Sequence, residues 1–262
     1  MSLWQWSDWN GQAYLTCSLL QPWAHGFFTR ASWPQLPDRL TAALDPVASV
    51  QRVQQVHGNR VITPTDITMV SSTDHRPLVE ADALVSDGLP QALWVCSADC
   101  NPILMGDRRS GRVAAIHAGW RGTAQKIGPE TVARMAATGS QIEDLVVAIG
   151  PAISGEVYQV SQSVAEEVGR TLVAEADLKT ENLISHLQNL GPQPILPDQE
   201  PGKVRLDVRL VNFWQLTHLG LDPHQIAIAP HCTFQEPDRF FSYRRTGEKQ
   251  VQWSGIVSRQ PG

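Results

Sequence analysis

Three side chains in this chain of 262 residues have the types and settings from which catalytic chemistry is built: His57 in QQVHGNRV, Cys100 in SADCNPILM and His117 in AAIHAGWRGT. Each falls at the end of an apolar run or in a tight turn, where a rigid scaffold displays working residues. Two neutral imidazoles and a thiolate are a good donor set for zinc, and three protein ligands leave the fourth tetrahedral position open, as in catalytic rather than structural sites. The same donors also suit a copper centre of two histidines and a cysteine. The long gaps between the three residues are not a metal motif in themselves. Two other readings stay open: Cys100 as a nucleophile with His117 as its base, or a core thiol, a hydrogen-bonded core histidine and a surface histidine.

The neighbours of these residues suggest an anion. Arg121 stands between Trp120 and Gly122 at an expected helix start, where free backbone N–H groups favour phosphate or carboxylate. A salt-bridged arginine on a turn is the plainer alternative. Arg244 and Arg245 follow the apolar stretch FFSY and form either a solvated end or a second anion contact. Cys96 has the same parity as Cys100 and could share its site, but free cysteine is usually packing, the default also for Cys17 and Cys232.

The elements that must position these groups follow from periodicity. NRVITP (59–64), ALWVCS (92–97), RVAAIHA (112–118), DLVVAIG (144–150) and QIAIAP (225–230) read as strands, several of them buried on both faces. Val160, Val164, Val168 and Leu172 predict one amphipathic helix, and Leu206, Leu210, Phe213 and Leu216 or Thr217 predict another that ends at Gly220. Residues 123–137 predict a third, with Ile127, Thr131 and Met135 on one side and Pro129 limiting or kinking it. GPQPILPDQEPG (191–202) excludes helix and central strand and reads as a surface loop. Strands and helices interleave without a strict βαβ rhythm and without a Gly-rich dinucleotide fingerprint. The expected fold is therefore α+β, one domain over residues 1–262 with mixed β-sheets flanked by helices.

Composition narrows the function classes. A formal net charge of −5 offers no global basic excess for nucleic acid. No apolar run reaches membrane-spanning length, and the amino terminus shows no secretory leader. Four cysteines are too few for a disulfide scaffold in a chain this long, so reduced thiols and a cytoplasmic location are expected. Trp4, Trp6 and Trp9 crowd the first ten residues and read as an amphipathic edge packed on the body of the domain.

HGFFTR (25–30), QQVHGNRV (54–61), ADALVS (81–86), SADCNPILM (97–105), IHAGWRGT (116–123), AIGPAISGEVYQV (148–160), RLDVRLVNFWQL (205–216) and CTFQEPDRFFSYRR (232–245) together resemble the YfiH-type family. Its members carry names such as laccase-domain protein, polyphenol oxidase, purine nucleoside phosphorylase and peptidoglycan editing factor. The resemblance implies a zinc site made by His57, Cys100 and His117. It also implies phosphorolysis of adenosine, inosine, guanosine and methylthioadenosine, with adenosine deamination as a further activity. Purine nucleoside and inorganic phosphate are then the small-molecule partners, and the chain is expected as a monomer or homodimer.

Arg121 is the first choice for phosphate, with Arg244 or Arg245 the second; Asp99, beside Cys100, is the candidate proton carrier for deamination. Two segments depart from the family pattern. ASWPQLPDRL stands after HGFFTR in place of a Gly-Gly-Val-Ser segment and a longer Asn-containing stretch, and TGEKQVQWSG replaces a Gly-rich turn after FFSYRR. Rival functions are a copper polyphenol oxidase (laccase), disfavoured because the chain has no His-x-His pair, and a Cys-His hydrolase that edits peptidoglycan precursors.

Overall fold

A computed structural model describes residues 3–70, 78–173 and 179–261. Its frame is two six-stranded sheets and one of three strands. The first runs in the order β1 (Trp4–Trp9), β2 (Gln12–Cys17), β3 (His25–Phe28), β15 (Gln252–Val257), β7 (Gln91–Ser97) and β4 (Ser49–Arg52). It is antiparallel except where β4 lies parallel to β7. The second runs β14 (Ile226–Ile228), β10 (Leu145–Ile149), β8 (Asn101–Asp107), β9 (Val113–Ala118), β6 (Ala83–Val85) and β5 (Val61–Ile62), with a parallel pair at each edge. The small third sheet is β11 (Gln159–Ser161), β13 (Lys203–Leu206) and β12 (Ile195–Pro197). The mixed sheets agree with the α+β expectation.

The apolar runs become central strands because they are covered twice. Leu104, Val113, Ala115, Val146 and Ala148 of the second sheet meet Leu15, Phe27, Leu93, Val95 and Ile256 of the first. The opposite face of the second sheet, with Ile103, Met105, Ala114, Ile116 and Val147, packs against Ile127, Val132, Met135 and Leu216 from the helical layer. Every residue of β8, β9 and β10 is buried as a result. An antiparallel sheet usually shows one face to water. Here helices cover the face that the other sheet leaves, so the strands read as continuous apolar runs instead of alternating ones.

The helices are α1 (Pro37–Leu40), α2 (Pro64–Val70), α3 (Trp120–Ala124), α4 (Ile127–Ala137), α5 (Gln162–Gly169), α6 (Thr180–Gln188), α7 (Val208–His218) and α8 (Tyr243–Thr246). The expected helix over 123–137 is divided into α3 and α4 at Lys126, whose φ of 60° lies in the left-handed region. Pro129 does not make the break. It sits in the first turn of α4, where the missing N–H is no loss. Ile127, Thr131 and Met135 are buried together as the spacing predicts.

Two stripes need correction. Val160 belongs to β11, and the helix begins only after Ser161, whose hydroxyl accepts from Val164 N at 3.4 Å as an N-cap. Leu206 belongs to β13, and Asp207 caps α7, whose buried face is Val208, Val211, Asn212, Gln215 and Leu216. Two polar residues are thus turned inward, and an apolar-only reading of the period finds Leu216 but misses most of the buried face. Within the proline-rich stretch of 191–202, Ile195–Pro197 forms β12 at the edge of the third sheet, a position that tolerates proline. The tryptophan-rich start is likewise an edge strand, β1.

Candidate active site

The chain passes from the first sheet to the second through the corner Ala98–Asp99–Cys100, between β7 and β8. Asp99 turns that corner with φ 90°, a left-handed conformation uncommon outside glycine. Cys100 therefore emerges at the junction of the two sheets. His117 lies next to last in β9, paired with Pro102 of β8. His57 lies in the turn before β5, also at positive φ, 61°. One ligand atom from each of His57, Cys100 and His117 falls within 4.8 Å of the others. His57 is exposed, Cys100 half-buried and His117 buried, so the cluster faces outward from the scaffold.

Asp82, missed as a site residue in the sequence, organises this cluster. It is fully buried. Its Oδ1 accepts from His57 N at 2.9 Å and lies 2.8 Å from His117 Nδ1, and its Oδ2 accepts from Val56 N at 3.1 Å and Gly58 N at 2.8 Å. One carboxylate thus fixes the backbone of the QVHG turn and the ring of the second histidine. With Nδ1 engaged, His117 presents Nε2 to the cluster. The signal was present in ADALVS, where a lone acid stands in an otherwise apolar run.

Electrostatics follow from the crowding. Burial pushes the Cys100 thiol up, but the facing His117 and His57 more than offset it and bring the pKa down to about 6. Burial pulls His117 down, while the Cys100 thiolate and the Asp82 carboxylate carry it up to about 9. Asp82 itself is raised by burial and lowered further by His117 and the turn N–H groups, with a net fall. Cys96, in contrast, is pushed up to about 11 by burial and packs against the apolar cluster around Trp94. It stays a thiol and a packing residue.

The donor set fits a metal ion. A Cβ added at Gly119 would lie 2.8 Å from Cys100 Sγ and 3.3 Å from His57 Cδ2. The space between the ligands is kept open by a residue without a side chain. At Gly122 a Cβ would lie 2.9 Å from the Gly58 carbonyl, so α3 packs directly on the turn that carries His57.

A cleft beside the cluster is lined by Asp99, Cys100, Asn101, Tyr158, Trp120 and Val208, among others, and encloses about 30 Å³, the room of about one water. Arg121 is exposed at its side, with the guanidinium 4.4 Å above the Trp120 ring. Among the described residues no carboxylate pairs with it. Helix α3 has five residues and contributes little dipole, so an anion there depends on the arginine itself.

Arg244 approaches from α8. Its guanidinium lies 4.6 Å above the Tyr158 ring and donates to the Gln159 carbonyl at 2.8 Å. Tyr158, also missed in the sequence, is pushed up to about 12, first by burial and then by the Cys100 thiolate, and keeps its phenolic proton.

Of the expected site residues, Arg245 is placed away from the cleft, and Asp99 lines it with its carboxylate already engaged. Arg245 donates to the carbonyls of Thr233, Phe234 and Phe240 at 2.7–2.9 Å and does not line the cleft, so its charge staples the CTFQEPDRFF loop. Asp99 is in a corner and not on a strand. Its carboxylate accepts from Thr233 Oγ1 and from Arg244 N, both at 2.7 Å, and is a strut that holds α8 against the cleft. His25 is a satisfied core histidine, bonded to Cys17 N and facing the Trp23 carbonyl.

Comparison with known proteins extends this picture. Residues 37–259 match the family described as multi-copper polyphenol oxidoreductase laccase. A Synechocystis protein named purine nucleoside phosphorylase is 54% identical over 98% of this chain and 97% of its own length. A Bacteroides thetaiotaomicron protein of the same name is 32% identical, over 78% of this chain and 71% of its own. A prokaryotic protein named adenosine deaminase RL5 is 29% identical over 74% of this chain and 69% of its own. In fold, the chain is similar to YlmD from Geobacillus stearothermophilus, with a TM-score of 0.77, 24% identity and coverage of 97% and 98%. YfiH from Bacillus licheniformis gives 0.76 at 24% identity, with coverage of 94% and 96%. Among the described residues no helix is long and apolar enough to cross a membrane.

Proposed function

Because the chain belongs to the multi-copper polyphenol oxidoreductase laccase family, we propose from its full-length relatives that it is a purine nucleoside phosphorylase holding zinc on His57, Cys100 and His117. The observation that carries this reading is the 54% identity, over almost the whole of both chains, to a protein of that name. Adenosine, inosine, guanosine and methylthioadenosine are the proposed substrates. Adenosine deamination is a further activity, supported by the name of one more distant relative. Zinc is preferred to copper because three ligands with an open position suit hydrolytic and transfer chemistry, and the chain has no His-x-His pair.

In phosphorolysis a phosphate oxygen bonds to the ribose carbon, and the electron pair of the broken C–N bond leaves with the purine. Arg121 and Arg244, both exposed beside the cleft, hold the phosphate at its rim. Tyr158 remains a phenol, raised to about 12 by burial and by Cys100, and offers a proton-bearing oxygen to substrate. Asp99 acts through Arg244 as a positioning residue, and Asp82 acts through His117. A bound zinc ion would supply Lewis-acid polarisation of an oxygen ligand.

The test is incubation of metal-analysed, zinc-replete protein with adenosine or inosine, with and without phosphate, followed by chromatographic resolution of the products. Phosphate-dependent purine release that vanishes in His117→Ala is the expected result. Absence of both purine release and inosine formation would remove the nucleoside reading. The second reading, a Cys-His hydrolase of peptidoglycan precursors, is favoured by the low pKa of Cys100, about 6, beside His117. It predicts activity that survives chelation and is abolished by thiol alkylation.

A further inference from the structure

Asn101 opens β8 immediately after Cys100 and pairs opposite Ala118 in the register of β8 with β9. It is 1% exposed, and its side-chain Nδ2 is buried with no hydrogen-bond partner. A buried amide N–H without an acceptor is unfavourable for folding. The same residue lines the cleft, between Cys100 and the apolar surface of Ala118, Ile153 and Val208.

We infer that Asn101 reads the base at the floor of this cleft, donating through Nδ2 to an acceptor on the edge of the purine ring. The inference rests on the nucleoside reading above and deepens it. The charge distribution selects the base over the phosphate. The arginines stand exposed beside the cleft, whereas Asn101 is a neutral donor in a lining that holds the Asp99 carboxylate and the Cys100 sulfur and no cation. A phosphate would give up its hydration for one neutral amide there, at heavy cost. A flat heteroaromatic edge fills an apolar slot and needs few placed polar groups. The donor also serves the bond-breaking step. As the glycosidic electron pair leaves with the purine, negative charge spreads onto ring nitrogens and any exocyclic oxygen, and a preorganised N–H there is stronger in the transition state than in the ground state.

Asn101→Leu tests this by moving stability and activity in opposite directions. Leucine has similar volume and removes the unpartnered amide, so the melting temperature is expected to rise and zinc content to stay unchanged. kcat/KM for phosphorolysis of inosine is expected to fall about 100-fold, and binding of free hypoxanthine, measured calorimetrically, to weaken at least tenfold.

Wild-type turnover together with Asn101→Leu turnover within a factor of about three would overturn the inference and leave the nucleoside reading standing. Failure of the wild-type protein both to release purine and to bind hypoxanthine would overturn the nucleoside reading, and the inference with it. Should leucine prevent folding, Asn101→Ala decides by the same kcat/KM criterion.

Discussion

Asp82 shows how much a single buried carboxylate can organise. It touches no ligand-facing atom, yet three backbone N–H groups of the QVHG turn and the Nδ1 of His117 converge on it. Asp82→Asn would set an amide NH₂ against donors on one side or the other, so the turn loosens and His117 loses its fixed tautomer. Zinc affinity should fall about 10–100-fold, measurable by competition with a chromophoric chelator. A second prediction concerns protons. In the metal-free protein the Cys100 thiolate, with a pKa of about 6, faces a His117 imidazolium carried up to about 9. A metal needs the thiolate and the neutral imidazole, so between pH 7 and 9 binding must expel the His117 proton. A raised histidine pKa holds that proton until pH passes about 9, so affinity should rise about tenfold per pH unit across this window and level off above it. Calorimetry in buffers of different ionisation enthalpy should count about one proton released per zinc at pH 7.5.

At the scale of elements, the site exists because three segment ends meet. The β7–β8 corner brings Cys100, the end of β9 brings His117, and the turn before β5 brings His57. Gly119, between β9 and α3, tests this directly. Its φ of −69° is available to any residue, so alanine costs nothing in backbone conformation. Its Cβ would instead press on Cys100 Sγ and His57 Cδ2. Gly119→Ala should therefore lower zinc affinity at least tenfold, while the metal-free protein melts within a few degrees of wild type; a matching loss of stability would place the defect in the fold. The sequence made this much legible: β7, β9 and β10, whose apolar runs are long, and the three ligand-type residues at strand ends or in turns. It did not make β8 legible, because Asn101 and Pro102 at its start disguise an otherwise apolar strand. Nor did it give the inward side of α7, where Asn212 and Gln215 are buried on α3 through Thr123. Tyr158 and Asp82 were hidden for another reason, since their roles depend on long-range neighbours that local period does not encode.

At the scale of the molecule, the three candidate ligands lie in segments far apart in sequence, at the junction of the two large sheets. A ligand that binds only when these segments are assembled must stabilise the assembly. The C-terminal β15 is paired on one side with β3 and on the other with β7, so it joins the N-terminal strands to the strand that leads to Cys100. We expect the chain to unfold as one unit, in a single calorimetric transition. Zinc at 100 times its dissociation constant should add about 2.7 kcal/mol to the folded state. For a chain of this size that corresponds to a rise in Tm of about 5–10 °C. The rise should be reversed by a chelator and absent in His117→Ala. Two resolved transitions, with only one responding to zinc, would instead divide the chain into independently folding parts and confine the metal's influence to one of them. A single transition that ignores zinc would mean that the ligand cluster is as well formed in the unfolded chain as in the folded one, or that it does not bind the ion.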